Sequence, residues 1–165
     1  MATEAIVLAT FIPASPERVY RAWLDAEEHS RFTGSPATSD PYVGGRFTAW
    51  DGYIQGTYRL LAQDRRIQQS WRTTDFPKGS PDSELDVHFH PEKRGTNLTL
   101  VHSEIPANQG HDYGKGWISY YFEPLKRYFA ERPARRGARK AAGSKRKPAR
   151  SASPKLGARR ASRRR

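Results

Sequence analysis

"SELDVHFHPEKRGTNLTLVHSEI", residues 83–105, decides the fold. In its first half Leu85, Val87 and Phe89 alternate with Asp86, His88 and His90. After the "PEKRG" turn, Leu98, Leu100 and His102 alternate with Thr99, Val101 and Ser103. Period-two alternation puts each set on its own side of a strand, so the segment predicts a hairpin with one buried and one solvated face. A sheet of this kind needs a second layer over its apolar side.

The same reading extends upstream. "GRFTAWDG", "YIQGTYRLLAQ" and "RIQQSWRTTDF" are rich in β-branched and aromatic residues and are separated by Asp-Gly, Gln-Asp and "PKGSPDS" turns, giving a five-strand antiparallel meander between 42 and 105. "EAIVLATFI", residues 4–12, reads as a further strand ending at Pro13. Ser15 as N-cap and Pro16 in the first turn then open a helix with Val19, Ala22, Trp23 and Ala26 on one face, and a second short helix is expected at about 26–32, before Gly34.

The covering layer is sought at 109–131. Trp117, Tyr121, Pro124 and Tyr128 form one stripe, with Ile118, Phe122, Leu125 and Phe129 beside it. This predicts a long helix with a wide apolar face, bent at Pro124, where a backbone donor is missing. Lys115, Glu123, Lys126 and Arg127 exclude a membrane span there.

Charge divides the chain. Of 29 Lys and Arg, 15 fall in residues 132–165, which hold no Asp or Glu, so 1–131 carries 14 basic against 17 acidic side chains. Residues 132–165 contain only Ala, Gly, Pro, Ser, Arg, Lys and Leu156 and cannot bury enough apolar area to offset ordering entropy. The expected organisation is one domain, 1–131, and a disordered basic tail, 132–165. Candidate polyanion contacts in the tail are Arg135, Arg136, Arg139, Lys140, Lys145, Arg146, Lys147, Arg150, Lys155, Arg159, Arg160, Arg163, Arg164 and Arg165. Such contacts would release counterions from nucleic acid without reading its sequence.

The chain has no cysteine, which excludes disulfides, thiolate metal ligands and cysteine nucleophiles. Its first twenty residues lack a basic n-region, so a secretory signal is not expected and a cytoplasmic protein is. For catalysis the candidates are Asp51, Glu104, His102, His111 and Asp112, but no nucleophile elbow, phosphate-binding glycine loop or zincin pattern accompanies them. No catalytic residue is assigned. Asp86, His88 and His90 share a strand face, yet same-face neighbours stand about 6.5–7 Å apart and no fourth ligand is evident, so neither metal nor cofactor is expected. The loop 75–83 is a candidate lid or partner contact, with a surface connection as the ordinary alternative.

The order strand, two helices, meander, long helix is that of the α+β helix-grip architecture. "RFTGSPAT", "GGRFTAWDGYIQGTY", "QQSWRTTDFPKG", "GTNLTLVHSEIP" and "GWISYYFEPLKRYF" occur in the order and at the spacing of the C-terminal domain of the activator of heat-shock protein 90 ATPase. The chain resembles that family, part of the START-like (SRPBCC) superfamily, over roughly residues 4–130, and is expected to be a single-domain form of it. The resemblance implies a curved antiparallel sheet around a C-terminal helix, and a non-enzymatic binding module with a heat-shock protein 90-type chaperone or an apolar small molecule as partner. It makes the inward residues Phe47, Trp71, Leu85, Val87, Phe89, Leu100, His102, Trp117, Tyr121 and Phe122 ligand-contact candidates, unless they simply fill a core. A cavity enzyme or carrier, and a chromatin- or nucleoid-associated protein directed by the tail, are the alternative functions.

Overall fold

The computed structural model describes residues 2–130; the expected basic tail and its Arg and Lys candidates lie outside the described residues. Seven antiparallel strands form one sheet: β1 (Thr3–Ile12), β2 (Thr38–Ser39), β3 (Arg46–Ala49), β4 (Ile54–Ala62), β5 (Arg66–Thr73), β6 (Ser83–Glu92) and β7 (Gly95–Pro106). Their spatial order is β1-β7-β6-β5-β4-β3-β2. The helix-grip architecture is present, with one strand more than expected. β2 is only two residues long and carries no alternation to detect; it is held by Thr38 and Ser39 pairing with Thr48 and Phe47.

The hairpin that decides the fold pairs Leu85 with His102, Val87 with Leu100 and Phe89 with Leu98, and all six are buried. Their cover comes from helices near both ends of the described residues. Helix α1 (Pro16–Leu24) starts at Ser15, whose Oγ accepts from Arg18 N, and buries Val19, Ala22 and Trp23. Asp25 ends α1 and caps α2 (Ala26–Thr33), which stops at Gly34 in the left-handed region, φ 82°.

The last helix, 110–130, starts as α3 (Gly110–Trp117) and contains a π-helical turn at Ile118–Phe122. Where the sequence predicts a bend at Pro124, the structure has a π turn that ends just before that proline. Glu123 N–H reaches back five residues to Ile118 O, a wide turn directly before the proline. It also shifts the buried stripe, which runs through Trp117 and Tyr121 and then Phe122, Leu125 and Phe129. Ile118, expected on the apolar face, is 43% exposed.

α3 has no capping side chain of its own. Glu4 supplies one from β1: its carboxylate accepts from Asn108 N at 2.6 Å and Gly110 N at 2.9 Å. These backbone donors hold the Glu4 carboxyl below its usual range, so the contribution is present above that range and fades as pH falls through the lowered value.

One close approach fixes β4. A Cβ added at Gly56 would lie 2.0 Å from the Ser70 carbonyl oxygen and 2.8 Å from the Phe47 ring. Gly56→Ala is therefore expected to destabilise the protein by about 2 kcal/mol or more, because backbone must move. A urea midpoint unchanged from the parent would contradict this.

Candidate functional site

The centre of the space between sheet and helix is packed. Trp23, Phe47, Trp71, Leu85, Trp117 and Tyr121 surround a void of only about 10 Å³. That is room for about one water at most. Trp117 stacks 6.1 Å from Trp23 and lies 5.6 Å from Trp71 and 4.8 Å from Tyr121, ring to ring. Val87, Phe89, Leu100 and Phe122 belong to the same filled core.

A polar chain crosses this core. Trp117 Nε1–H donates to His102 Nδ1 at 3.1 Å, which fixes the proton of the neutral ring on Nε2. His102 Nε2–H then donates to Ser83 Oγ at 2.9 Å, and Ser83 Oγ–H to the Trp71 carbonyl at 2.7 Å. Burial pushes the His102 pKa down to about 3. A second histidine, His29, donates from Nδ1 to Trp23 O and accepts at Nε2 from the Tyr121 hydroxyl, both at 2.9 Å. Its ring lies against Trp23, Phe32 and Tyr121, and burial lowers its pKa to about 4. Both histidines are neutral struts with no free nitrogen.

The open space lies to one side. A cleft of about 490 Å³ is lined by Trp50 and Tyr53 from the β3–β4 connection, Ile54 at the start of β4, Trp71 from β5, and Asp112, Tyr113, Gly116, Trp117, Tyr120 and Tyr121 from the last helix. That volume suits a small organic molecule. Its strand-side wall is built on an unusual backbone: Trp50, Asp51 and Gly52 are all left-handed, at φ 52°, 56° and 90°. A bulky residue there is strained, and surrounding bonds must hold it. Asp51 N donates to Pro36 O, Tyr53 N to Trp50 O and Thr74 N to Tyr53 O.

Ring positions are fixed by their hydroxyls. Tyr53 donates to Asp75 Oδ2 at 2.8 Å, and burial with that carboxylate raises its pKa to about 12. Tyr113 donates to Gln109 Oε1 at 2.8 Å and accepts from Thr73 Oγ1 at 2.6 Å. Across the rim, Trp50 meets Tyr120 edge to face at 5.6 Å, and Tyr120 is 58% exposed.

Of the inward residues singled out from sequence, Trp71, Trp117 and Tyr121 reach the cleft; Leu85 lines the small void, and Phe47 lines that void and a separate pocket of about 140 Å³ beside Gly56 and Ser70. Trp50, Tyr53, Tyr113 and Tyr120 were missed as lining residues. Their signal was an "AWDGYI" turn with an aromatic on each side of Asp-Gly, and tyrosines seven apart on the helix around Gly116.

Among the acid-base candidates only Asp112 lines the cleft; Asp51, Glu104 and His111 are exposed. Asp86 is engaged by Arg66 through two hydrogen bonds, by Gln68 and by His88, while His88 and His90 stack at 5.9 Å. Among the described residues no group of three or more His, Cys, Asp or Glu could hold a metal ion, and no helix is long and apolar enough to cross a membrane. The loop 75–83 is pinned: Phe76 is buried beside Trp71, and Arg72 binds Ser80 O and Asp82.

Residues 13–130 match the model of the family described as Activator of Hsp90 ATPase homolog 1-like protein. Among curated proteins, Activator of 90 kDa heat shock protein ATPase homolog 1 of Homo sapiens is 32% identical over 120 residues, which are 73% of this chain and 35% of that protein. The Dictyostelium discoideum homolog is 27% identical over 129 residues, 78% and 33% of the two chains. The chain thus spans about a third of the length of these relatives. In solved structures, an HSP90 activator from Plasmodium falciparum superimposes with a TM-score of 0.70 at 25% identity, covering 76% of this chain and 96% of that one. CalU16 from Micromonospora echinospora gives 0.66 at 25% identity, covering 77% and 74%. The matched span takes in both N-terminal helices, the sheet from β2 to β7 and the whole last helix, and on that match the chain belongs to the Activator of Hsp90 ATPase homolog 1-like family.

Proposed function

We propose that the domain, taken as residues 1–131, is a non-enzymatic binding module that engages an Hsp90-type chaperone in the cytoplasm. The observation that carries this reading is the 32% identity over 120 residues to a protein named for activating that chaperone's ATPase. The test is the ATPase rate of a purified Hsp90-type chaperone with and without the full chain, alongside a direct binding measurement. A rise in turnover on saturable binding supports the reading; neither binding nor stimulation ends it.

Two further readings rest on separate observations. The cleft of about 490 Å³ suits a small, largely apolar ligand carried or held by the domain. The 15 Lys and Arg of residues 132–165 suit non-specific attachment to nucleic acid. If six to ten of them reach phosphates, affinity for duplex DNA falls about 10³- to 10⁵-fold between 50 and 200 mM salt. A full-length variant with these cations replaced by Ser should lose that binding, and equal retention of variant and parent would refute a role for the segment.

A further inference from the structure

We propose that the aromatic cleft selects a small organic cation: an ammonium or quaternary ammonium head on a compact apolar body. This rests on the small-ligand reading of the cleft and adds the sign of the ligand's charge.

Three observations point the same way. First, the lining contains no Lys, Arg or His, and its one carboxylate or cationic side chain is Asp112. The remaining surface is mostly aromatic, and ring faces attract cations through their quadrupole, the principle behind aromatic cages for quaternary ammonium groups.

Second, of the seven hydroxyl and indole donors in the lining, four are already committed within the protein. The hydroxyl protons of Tyr53, Tyr113 and Tyr121 go to Asp75, Gln109 and His29, and the indole proton of Trp117 goes to His102. What these side chains present to the cleft is ring surface. Asp75, outside the lining, is a further carboxylate directly bonded to a lining side chain, Tyr53.

Third, Trp50 is kept left-handed in a turn in which Asp51 and Gly52 are also left-handed, so the strand-side wall is set before any ligand arrives. Strain of this kind costs on the order of 1–3 kcal/mol and persists where the surroundings over-determine it. A wall fixed in advance removes part of the ordering cost of binding.

The experiment uses the full chain and three probes of matched shape: phenyltrimethylammonium, the neutral isostere tert-butylbenzene, and benzenesulfonate. Binding is followed by two-dimensional NMR, reading the Trp50 indole and the amides of Gly116 and Tyr120. The cation should bind about fivefold tighter than the neutral isostere, with shifts centred on those signals, and the sulfonate should not bind. Asp112→Asn should cut cation affinity about threefold or more and leave tert-butylbenzene unchanged; Trp50→Ala should weaken both. If the neutral probe or the sulfonate binds as well as the cation, or Asp112→Asn leaves the preference intact, the charge selection is refuted and the small-ligand reading survives. If none of the three binds, both fall.

Discussion

Between pH 7 and pH 5 the protein is expected to lose about 2 kcal/mol of unfolding free energy through His102 alone. The sign follows from burial. The folded ring stays neutral down to about pH 3, whereas an exposed histidine in the unfolded chain takes a proton near pH 6.5. The unfolded state therefore binds more protons across this window, and stability falls with pH at about 1.4 kcal/mol per unit until the folded pKa is reached. His29, lowered to about 4, acts in the same direction. Urea unfolding at pH 7, 6 and 5 measures the slope, and His102→Gln should flatten it. Should that variant fail to fold, the ring carbon and nitrogen shifts of His102 give the answer directly. A ring that protonates near pH 6.5 in the folded protein would overturn the account.

The largest single-site effect is expected at Trp117. Trp117→Ala removes a ring packed against Trp23, Trp71 and Tyr121, at about 3–5 kcal/mol for a buried aromatic, and leaves His102 Nδ1 without its donor, at about 1–3 kcal/mol more. Against a typical total of about 5–15 kcal/mol, this consumes much of the stability. Tyr120→Ala, three residues on and at the rim of the same cleft, should cost about 0.5 kcal/mol or little more. Comparable urea midpoints for the two variants would mean that the indole is not the keystone of the core. Trp117→Phe separates the terms, since it keeps most of the packing and drops the hydrogen bond.

The strands and the helix-grip order were legible because they depend on periodicity, and a two-residue period in 83–105 survives any tertiary detail. The caps were legible for a related reason: Ser15, Pro16 and Gly34 act through local backbone geometry. The site was less so. His102 was recognisable as the one titratable group on an apolar face, but its partners, Ser83 and Trp117, depend on strand register and helix placement. The cleft was harder still, because its wall is a turn. "WDG" reads as punctuation between strands, and nothing in three letters tells that Trp50 is held left-handed beside Tyr120. The π turn escaped for the same reason: a proline announces a missing donor, not how the chain accommodates it.

The order of strands also sets a timetable for synthesis. β1 is translated before the other six strands, and among the described residues its one neighbour in the sheet is β7, with Thr3 opposite Pro106 and Ile12 opposite Thr96. Glu4 then waits further, for Asn108 and Gly110. A ten-residue strand with Val7 and Phe11 on its open side therefore stays unpaired until nearly the entire domain has been translated. Contacts so distant in sequence make folding slow, and they leave β1 as the stretch of this domain most in need of a chaperone's cover during synthesis.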